Sequence, residues 1–166
     1  MEPQTQEATD GFDAILGAPG FCLGLRCEAG AVTEIRFLEP CAERAPVLPL
    51  AREAAQQLAA WLGDARCRFD LPMRMRGSPF QQRVWAQIRA IPLGETRTYG
   101  ALARMLESAP RPVGGACGAN PLPVLVPCHR VVARDGGLGG FSRKRGGFLL
   151  DIKRWLLAHE TAATRP

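Results

Sequence analysis

Apolar positions recur along this chain on two different periods. Between Phe12 and Leu38 they gather in three short runs, Phe12 to Leu16, Phe21 to Cys27 and Ala31 to Leu38. Gly17-Ala18-Pro19-Gly20 and Glu28-Ala29-Gly30 punctuate those runs, which predicts an antiparallel meander. A helical period takes over after Pro49, where Leu50, Ala54, Leu58 and Trp61 or Leu62 fall on one face and Gly63 supplies a stop. The segment Arg66 to Leu71 reads as a returning strand.

Met73-Arg74-Met75-Arg76-Gly77 carries no apolar period and reads as a linker. Beyond it Ser78 can cap a helix beginning at Pro79, with Phe80, Val84, Trp85, Ile88 and Ile91 on its inner side and Pro92 and Gly94 ending it. Thr98 can cap a helix from Tyr99 to about Leu106, with Leu102 and Met105 or Leu106 buried. After a break at Glu107 to Pro110, Pro112 to Ala119 forms a further candidate helix, so the pair reads as a helix-turn-helix or as a plain helical hairpin. The proline-bracketed run Leu122 to Val126 predicts a short buried strand or extended segment. A last helix, Leu149 to about Glu160, turns Leu149, Ile152, Leu156 and Trp155 inward. The sum is an α+β protein with a tail over residues 1–10, an α/β domain over 11–73 and a mainly helical domain over 74–162.

Charge sharpens this division. Residues 1–70 hold 6 Lys/Arg against 11 Asp/Glu, and residues 71–166 hold 15 against 5, so a net +5 chain divides into −5 and +10. A basic second half suits a phosphate-bearing partner, and equally a solvated face. The start of the chain lacks a basic segment leading into an apolar one, and its longest charge-free run is broken by Gly and Pro, so the expectation is a cytoplasmic protein with no membrane partner. Six cysteines (22, 27, 41, 67, 117, 128) and two histidines show no zinc-module spacing, so no metal is expected, and the four cysteines in the first half read as small buried residues.

Cys128 is the candidate for chemistry. It ends the apolar run and has His129 beside it, and a thiol becomes a strong nucleophile only as the thiolate, which an imidazole can generate. Adjacency in sequence does not make the two side chains face one another, so a buried inert cysteine stays an open reading here.

The longer segment Asn120-Pro121 through Pro127-Cys128-His129-Arg130-Val131 resembles the active-site segment of the O6-alkylguanine-DNA alkyltransferases, also called methylated-DNA-protein-cysteine methyltransferases. The resemblance extends upstream through Arg111-Pro112-Val113-Gly114-Gly115-Ala116 and downstream through Trp155 to Glu160. It implies a ribonuclease H-like first domain, a winged-helix-like second domain, and single-turnover transfer of an alkyl group from O6 of guanine in duplex DNA to Cys128, with no cofactor and a monomeric protein.

By the same resemblance His129 is the base, Glu160 holds it, and Asn120 ties the recognition helix to the reactive segment. That helix, with Gly114, Gly115, Ala116 and Gly118, would lie in the minor groove. Arg111 would fill the gap left by a flipped nucleotide, and Tyr99 would donate to N3 of the guanine. Gly139, Phe141 and Ser142 would line the base pocket, with the Ser142 backbone donating to O6 and the carbonyls of Cys128 and Val131 receiving the exocyclic amine. The chain departs from the family's usual Tyr-Ser-Gly-Gly by having Phe141-Ser142, then Arg143-Lys144-Arg145 before Gly146-Gly147. Two other classes compete: an alkyltransferase-like protein that binds damage without transfer, and a cysteine hydrolase using Cys128, His129 and Glu160.

Overall fold

The structure is a computed structural model that describes residues 9–139 and 147–166. It has a mixed α/β architecture of two compact units, one ending at Arg74 and the next beginning at Met75. In the first unit β1 (Ala14–Ala18), β2 (Phe21–Glu28) and β3 (Ala31–Leu38) form an antiparallel sheet in sequence order. Helix α1 (Pro49–Gly63) packs across all three strands with Ala51, Ala54, Leu58 and Trp61 buried. Leu50, expected inward, is only half-buried, because the buried stripe begins one residue later at Ala51.

The strand expected over Arg66 to Leu71 is absent. Gln57, on α1, takes both backbone groups of Asp70: its Nε2 donates to Asp70 O at 3.0 Å and its Oε1 accepts from Asp70 N at 2.8 Å. A helix side chain thus satisfies a backbone that would otherwise need a neighbouring strand. Just beyond that segment, Met73 makes an isolated parallel bridge with Val32. The cysteines of this unit are less buried than expected: Cys22 is buried, Cys27 and Cys41 are half-buried and Cys67 is exposed.

The second unit is organised by α2 (Pro79–Arg89), α3 (Tyr99–Met105), α4 (Pro110–Gly118) and α5 (Phe148–Thr164), with the two-residue strands β4 (Arg97–Thr98) and β5 (Val131–Val132) paired in parallel. A capping box starts α2: Gln81 N donates to Ser78 Oγ at 3.1 Å, and Ser78 N donates to Gln81 Oε1 at 2.9 Å. Thr98 caps α3 by accepting from Ala101 N at 3.0 Å. Trp85, buried on α2, donates Nε1–H to Ala116 O at 2.9 Å and so pins α4 to the core.

Three expectations change here. Helix α4 starts at Pro110, two residues early, because Ala109 is its N-cap and neither Pro110 nor Pro112 needs a donor in a first turn whose N–H groups have no helical acceptor. Leu122 to Val126 is not a strand. Pro121, Pro123 and Pro127 remove the donors a ladder needs, and the chain instead closes a buried turn with Val126 N donating to Leu122 O at 2.8 Å. Val124 sits in that turn at φ +75°, a conformation that costs a β-branched residue on the order of 1–3 kcal/mol. Finally, α5 buries Leu150 rather than Leu149 and adds Lys153 and Glu160 to its inner face. Among the described residues no helix is long and apolar enough to cross a membrane.

Candidate active site

The buried turn delivers Cys128 into a three-residue 3-10 helix, Cys128 to Arg130, with Cys128 N donating to Val126 O at 2.8 Å and Arg130 N to Pro127 O at 2.9 Å. Asn120 joins α4 to this turn. Its Nδ2 donates to Val126 O at 2.8 Å and to Cys128 Sγ at 3.0 Å, and its Oδ1 accepts from Leu122 N at 2.9 Å. The thiol therefore has a fixed donor aimed at its sulfur, which favours the anionic form.

Other surroundings oppose that form. A hydrogen bond with the Cys117 thiol and burial push the Cys128 thiol well above its ordinary range, and Asn120 and the charge of Lys153 pull it back only in part. At neutral pH the sulfur rests as a thiol, so a base must take its proton as the reaction proceeds.

His129 is fully buried, and its Nε2 lies 2.8 Å from Glu160 Oε1. Burial lowers its pKa, and the nearby carboxylate offsets this only partly, so the imidazole is neutral at pH 7. With the proton on the nitrogen facing the carboxylate, Nδ1 carries the lone pair of a general base. Glu160 is anchored in turn by Arg130, whose Nε donates to Oε2 at 2.9 Å and Nη2 to Oε1 at 2.7 Å, while Nη1 donates to Ile91 O at 2.6 Å. Burial alone would raise the Glu160 carboxyl, but hydrogen bonds and charge from His129 and Arg130 hold it at about 2.

Lys153 was not anticipated. Completely buried on α5, it donates Nζ to Val131 O at 2.7 Å and to Leu138 O at 2.5 Å, and lies 5.8 Å from the centre of the Tyr99 ring. Burial lowers its pKa to about 8, against the opposing pull of Cys117 and Cys128. Tyr99 is half-buried, with its hydroxyl pushed upward by burial and by the same two thiols. Gly139, at φ +66°, passes so close to this tyrosine that a Cβ would stand 3.1 Å from Tyr99 Cε2. Val131 O accepts from Lys153, and Cys128 O from Val131 N, leaving each carbonyl one further lone pair.

On α4, Arg111 is exposed in the first turn rather than ahead of it. A Cβ added at Gly114 or Gly115 would meet nothing within 4 Å, so the smoothness of this face is not demanded by the protein's own packing. Ala116 is different: it is buried with Val113 on the inward face, three residues apart. Gly118 ends the helix and is half-buried. Phe141, Ser142 and the basic triplet 143–145 lie outside the described residues.

The 6-O-methylguanine DNA methyltransferase DNA-binding domain family matches residues 79–162. A methylated-DNA–protein-cysteine methyltransferase of Mycolicibacterium paratuberculosis is 45% identical over 109 residues, which span 64% of this chain and 63% of the relative's length. The constitutive enzyme of that name from Bacillus subtilis is 41% identical over 64% of this chain and 67% of its own. Among solved structures, Mycobacterium tuberculosis O6-methylguanine methyltransferase superposes with a TM-score of 0.75 at 33% identity, covering 91% of this chain and 93% of that one. The same organism's protein in complex with DNA gives 0.75 at 35% identity, covering 90% and 92%. Sequence across the reactive segment and fold along nine-tenths of the chain agree, and the chain belongs to the 6-O-methylguanine DNA methyltransferase family.

Proposed function

We propose that this protein repairs DNA by direct reversal, taking the alkyl group of an O6-alkylguanine onto Cys128 Sγ in a single turnover. The observation that carries the reading is the junction of Asn120, Cys128, His129 and Glu160: a sulfur with a donor aimed at it, followed in sequence by a neutral buried imidazole backed by an ionised carboxylate. Geometry of this kind suits proton removal at the moment of attack.

In the reaction, His129 Nδ1 draws the thiol proton through a water and the thiolate attacks the alkyl carbon. A carbon–sulfur bond forms as the carbon–oxygen bond to O6 breaks, and the guanine leaves with its charge relieved by donation from Tyr99 to N3 and from the Ser142 backbone to O6. Glu160 stabilises the imidazolium that forms. A thioether has no hydrolytic return to a thiol, so the protein is consumed and no cofactor is needed.

The target base must leave the stack, at a cost of a few kcal/mol. The exposed Arg111 offsets part of this by entering the vacated space, and α4 approaches the minor groove through the open faces of Gly114 and Gly115. The fold reading completes the picture: the three-stranded sheet with α1 is a ribonuclease H-like scaffold over residues 11–73. Residues 74–162 form a winged-helix-like domain whose helix-turn-helix is α3 and α4. The protein acts as a monomer, and its six free cysteines suit a reducing cytoplasm.

The test uses a duplex with one labelled O6-methylguanine. One equivalent of label should appear on Cys128 and none on Cys128→Ser, which should still bind the duplex. Label on another residue, or an unmodified protein, would refute transfer to Cys128. More than one turnover per molecule would point to a cysteine hydrolase. In the same assay Arg111→Ala should slow repair of duplex far more than reaction with free O6-alkylguanine.

A further inference from the structure

Helix α4 ends on a carbonyl taken by another helix. Continued as an α-helix, it would give the N–H of Asn120 to Ala116 O, four residues back. Asn120 N donates instead to Cys117 O at 3.2 Å, and Ala119 N is shared between Gly115 O at 3.1 Å and Ala116 O at 3.3 Å. The shortest bond to Ala116 O comes from Trp85 on α2, whose Nε1–H donates to it at 2.9 Å. The indole has little room to move. Trp85 is 2% exposed, and a Cβ added to Gly77 would stand 2.7 Å from its Cζ3.

We propose that Trp85 is a positioning residue for the alkyl acceptor: by holding Ala116 O it tightens the end of α4, and this sets the direction from which Asn120 presents its amide to Cys128. Asn120 stands one residue past the C-cap, Ala119, and commits its whole side chain to the reactive turn. Its Nδ2 donates to Val126 O at 2.8 Å and to Cys128 Sγ at 3.0 Å, and its Oδ1 accepts from Leu122 N at 2.9 Å. With Ala116 O released, the N–H of Asn120 can fall back to it and the tightened turn relaxes to α-helical geometry. Over one residue that change amounts to about 20° of rotation and about 0.5 Å of rise.

A displacement of that size is small for a helix and large for a hydrogen bond, whose strength falls steeply with misalignment. Trp85 touches neither the base nor the sulfur. It acts through the Ala116 carbonyl on Asn120, and through Asn120 on Cys128. The effect on transfer rests on Cys128 being the acceptor, whereas the hold of Trp85 on Asn120 does not.

Asn120 is the only asparagine in the chain, so full-length protein grown on isotopically labelled asparagine reports its backbone and side-chain amides alone by NMR. Trp85→Phe removes the N–H and shrinks the ring. Trp85→benzothienylalanine keeps the size of the bicycle and puts sulfur where the N–H stood, and it decides alone should Trp85→Phe not fold. Val84→Ala is the control, since it removes packing from the same buried side of α2 and leaves the indole in place. Both Trp85 variants should move the Asn120 side-chain amide signals and quicken exchange of those protons with water, whereas Val84→Ala should leave them. Single-turnover transfer from free O6-benzylguanine, which needs no docking on DNA, should slow roughly tenfold in both Trp85 variants. In an Asn120→Ala background the same replacements should slow it by less than about twofold. Asn120 signals unmoved in the benzothienylalanine variant, signals moved as far by Val84→Ala, or rate effects that multiply in the Asn120→Ala background would each overturn the proposal. Should the wild type transfer nothing from the free base or from a methylated duplex, the repair reading fails, while the Asn120 signals still decide the role of Trp85.

Discussion

The guanidinium of Arg130 and the carboxylate of Glu160 meet through two nitrogens and both oxygens, with Nη2 at 2.7 Å and Nε at 2.9 Å. The residue next to the imidazole in sequence thus holds the carboxylate that holds the imidazole. Glu160 is nearly sealed from water, and Arg130 supplies the charge that lets it remain ionised there.

Arg130→Met should destabilise the protein by about 3 kcal/mol at neutral pH, because it leaves a buried carboxylate without its main counter-charge. A carboxyl held at about 2 in the folded chain and near 4.3 in the unfolded one adds stability above pH 4.3 that is lost as pH falls toward 2. The wild type should therefore lose stability more steeply than Arg130→Met across that window. Urea unfolding of both at pH 7 and pH 3 measures the difference, which should shrink at pH 3.

Glu160→Gln keeps the shape of the side chain and removes its charge. The imidazolium formed on proton transfer then has no anion beside it, and the single-turnover rate should fall roughly 10²-fold at pH 7. Higher pH should restore part of the rate, since hydroxide can generate the thiolate without the base. A rate equally depressed at every pH would show that the carboxylate acts only by placing His129.

Elements were legible in this sequence wherever local chemistry dictates them. The meander and the starts of α1, α2 and α3 follow from Gly and Pro punctuation and from Ser78 and Thr98, whose hydroxyls serve the backbone beside them. What failed were features decided by distant partners. The Arg66 to Leu71 strand lost to Gln57, and the apolar run before Cys128 became a turn because prolines bound it and divide it. Lys153 and Arg130 received no role from the sequence, since nothing adjacent to either shows where its partner lies. A signal was available for Lys153: it shares the stripe of Leu149, Leu156 and Glu160 at helical spacing, and a lysine on an apolar stripe calls for acceptors. From their own positions Cys128 and His129 were legible only as neighbours; Asn120 and Glu160 entered through the resemblance, and their contacts come from the residues just after α4 and from α5.

Lys153→Met removes the only cation donating to Val131 O and Leu138 O among the described contacts, and two carbonyls lose their donor at a cost of about 1–3 kcal/mol each. The pH dependence has a definite sign. With a folded value of about 8 and an unfolded one near 10.4, the unfolded chain holds a proton the folded chain has released, so Lys153 makes stability rise with pH between them. Cys128 and Tyr99, both raised, act in the opposite sense. The check is therefore differential: wild type minus Lys153→Met, by urea unfolding at pH 7.5 and 10, should increase with pH. Amide exchange over residues 131–139 should also quicken in the variant.

Asn120 joins stability to reactivity, because its amide serves both the backbone and the acceptor sulfur. Oδ1 satisfies the N–H of Leu122, a fully buried residue, whereas Nδ2 donates both to Val126 O and to Cys128 Sγ. Asn120→Ala removes all three bonds and should cost about 1–3 kcal/mol, chiefly from the unsatisfied Leu122 N–H. Asn120→Asp keeps an oxygen for Leu122 but sets its second oxygen against Val126 O, which offsets that gain. The same oxygen places negative charge where a donor stood beside Cys128, raising the thiol further and opposing thiolate formation. Measured where urea unfolding shows both variants folded, single-turnover transfer at pH 7 should therefore be slower in Asn120→Asp than in Asn120→Ala, and slower in both than in the wild type. Equal rates in the two variants would mean that Asn120 acts on the reaction only through the fold, and that its bond to the sulfur contributes nothing to the chemistry.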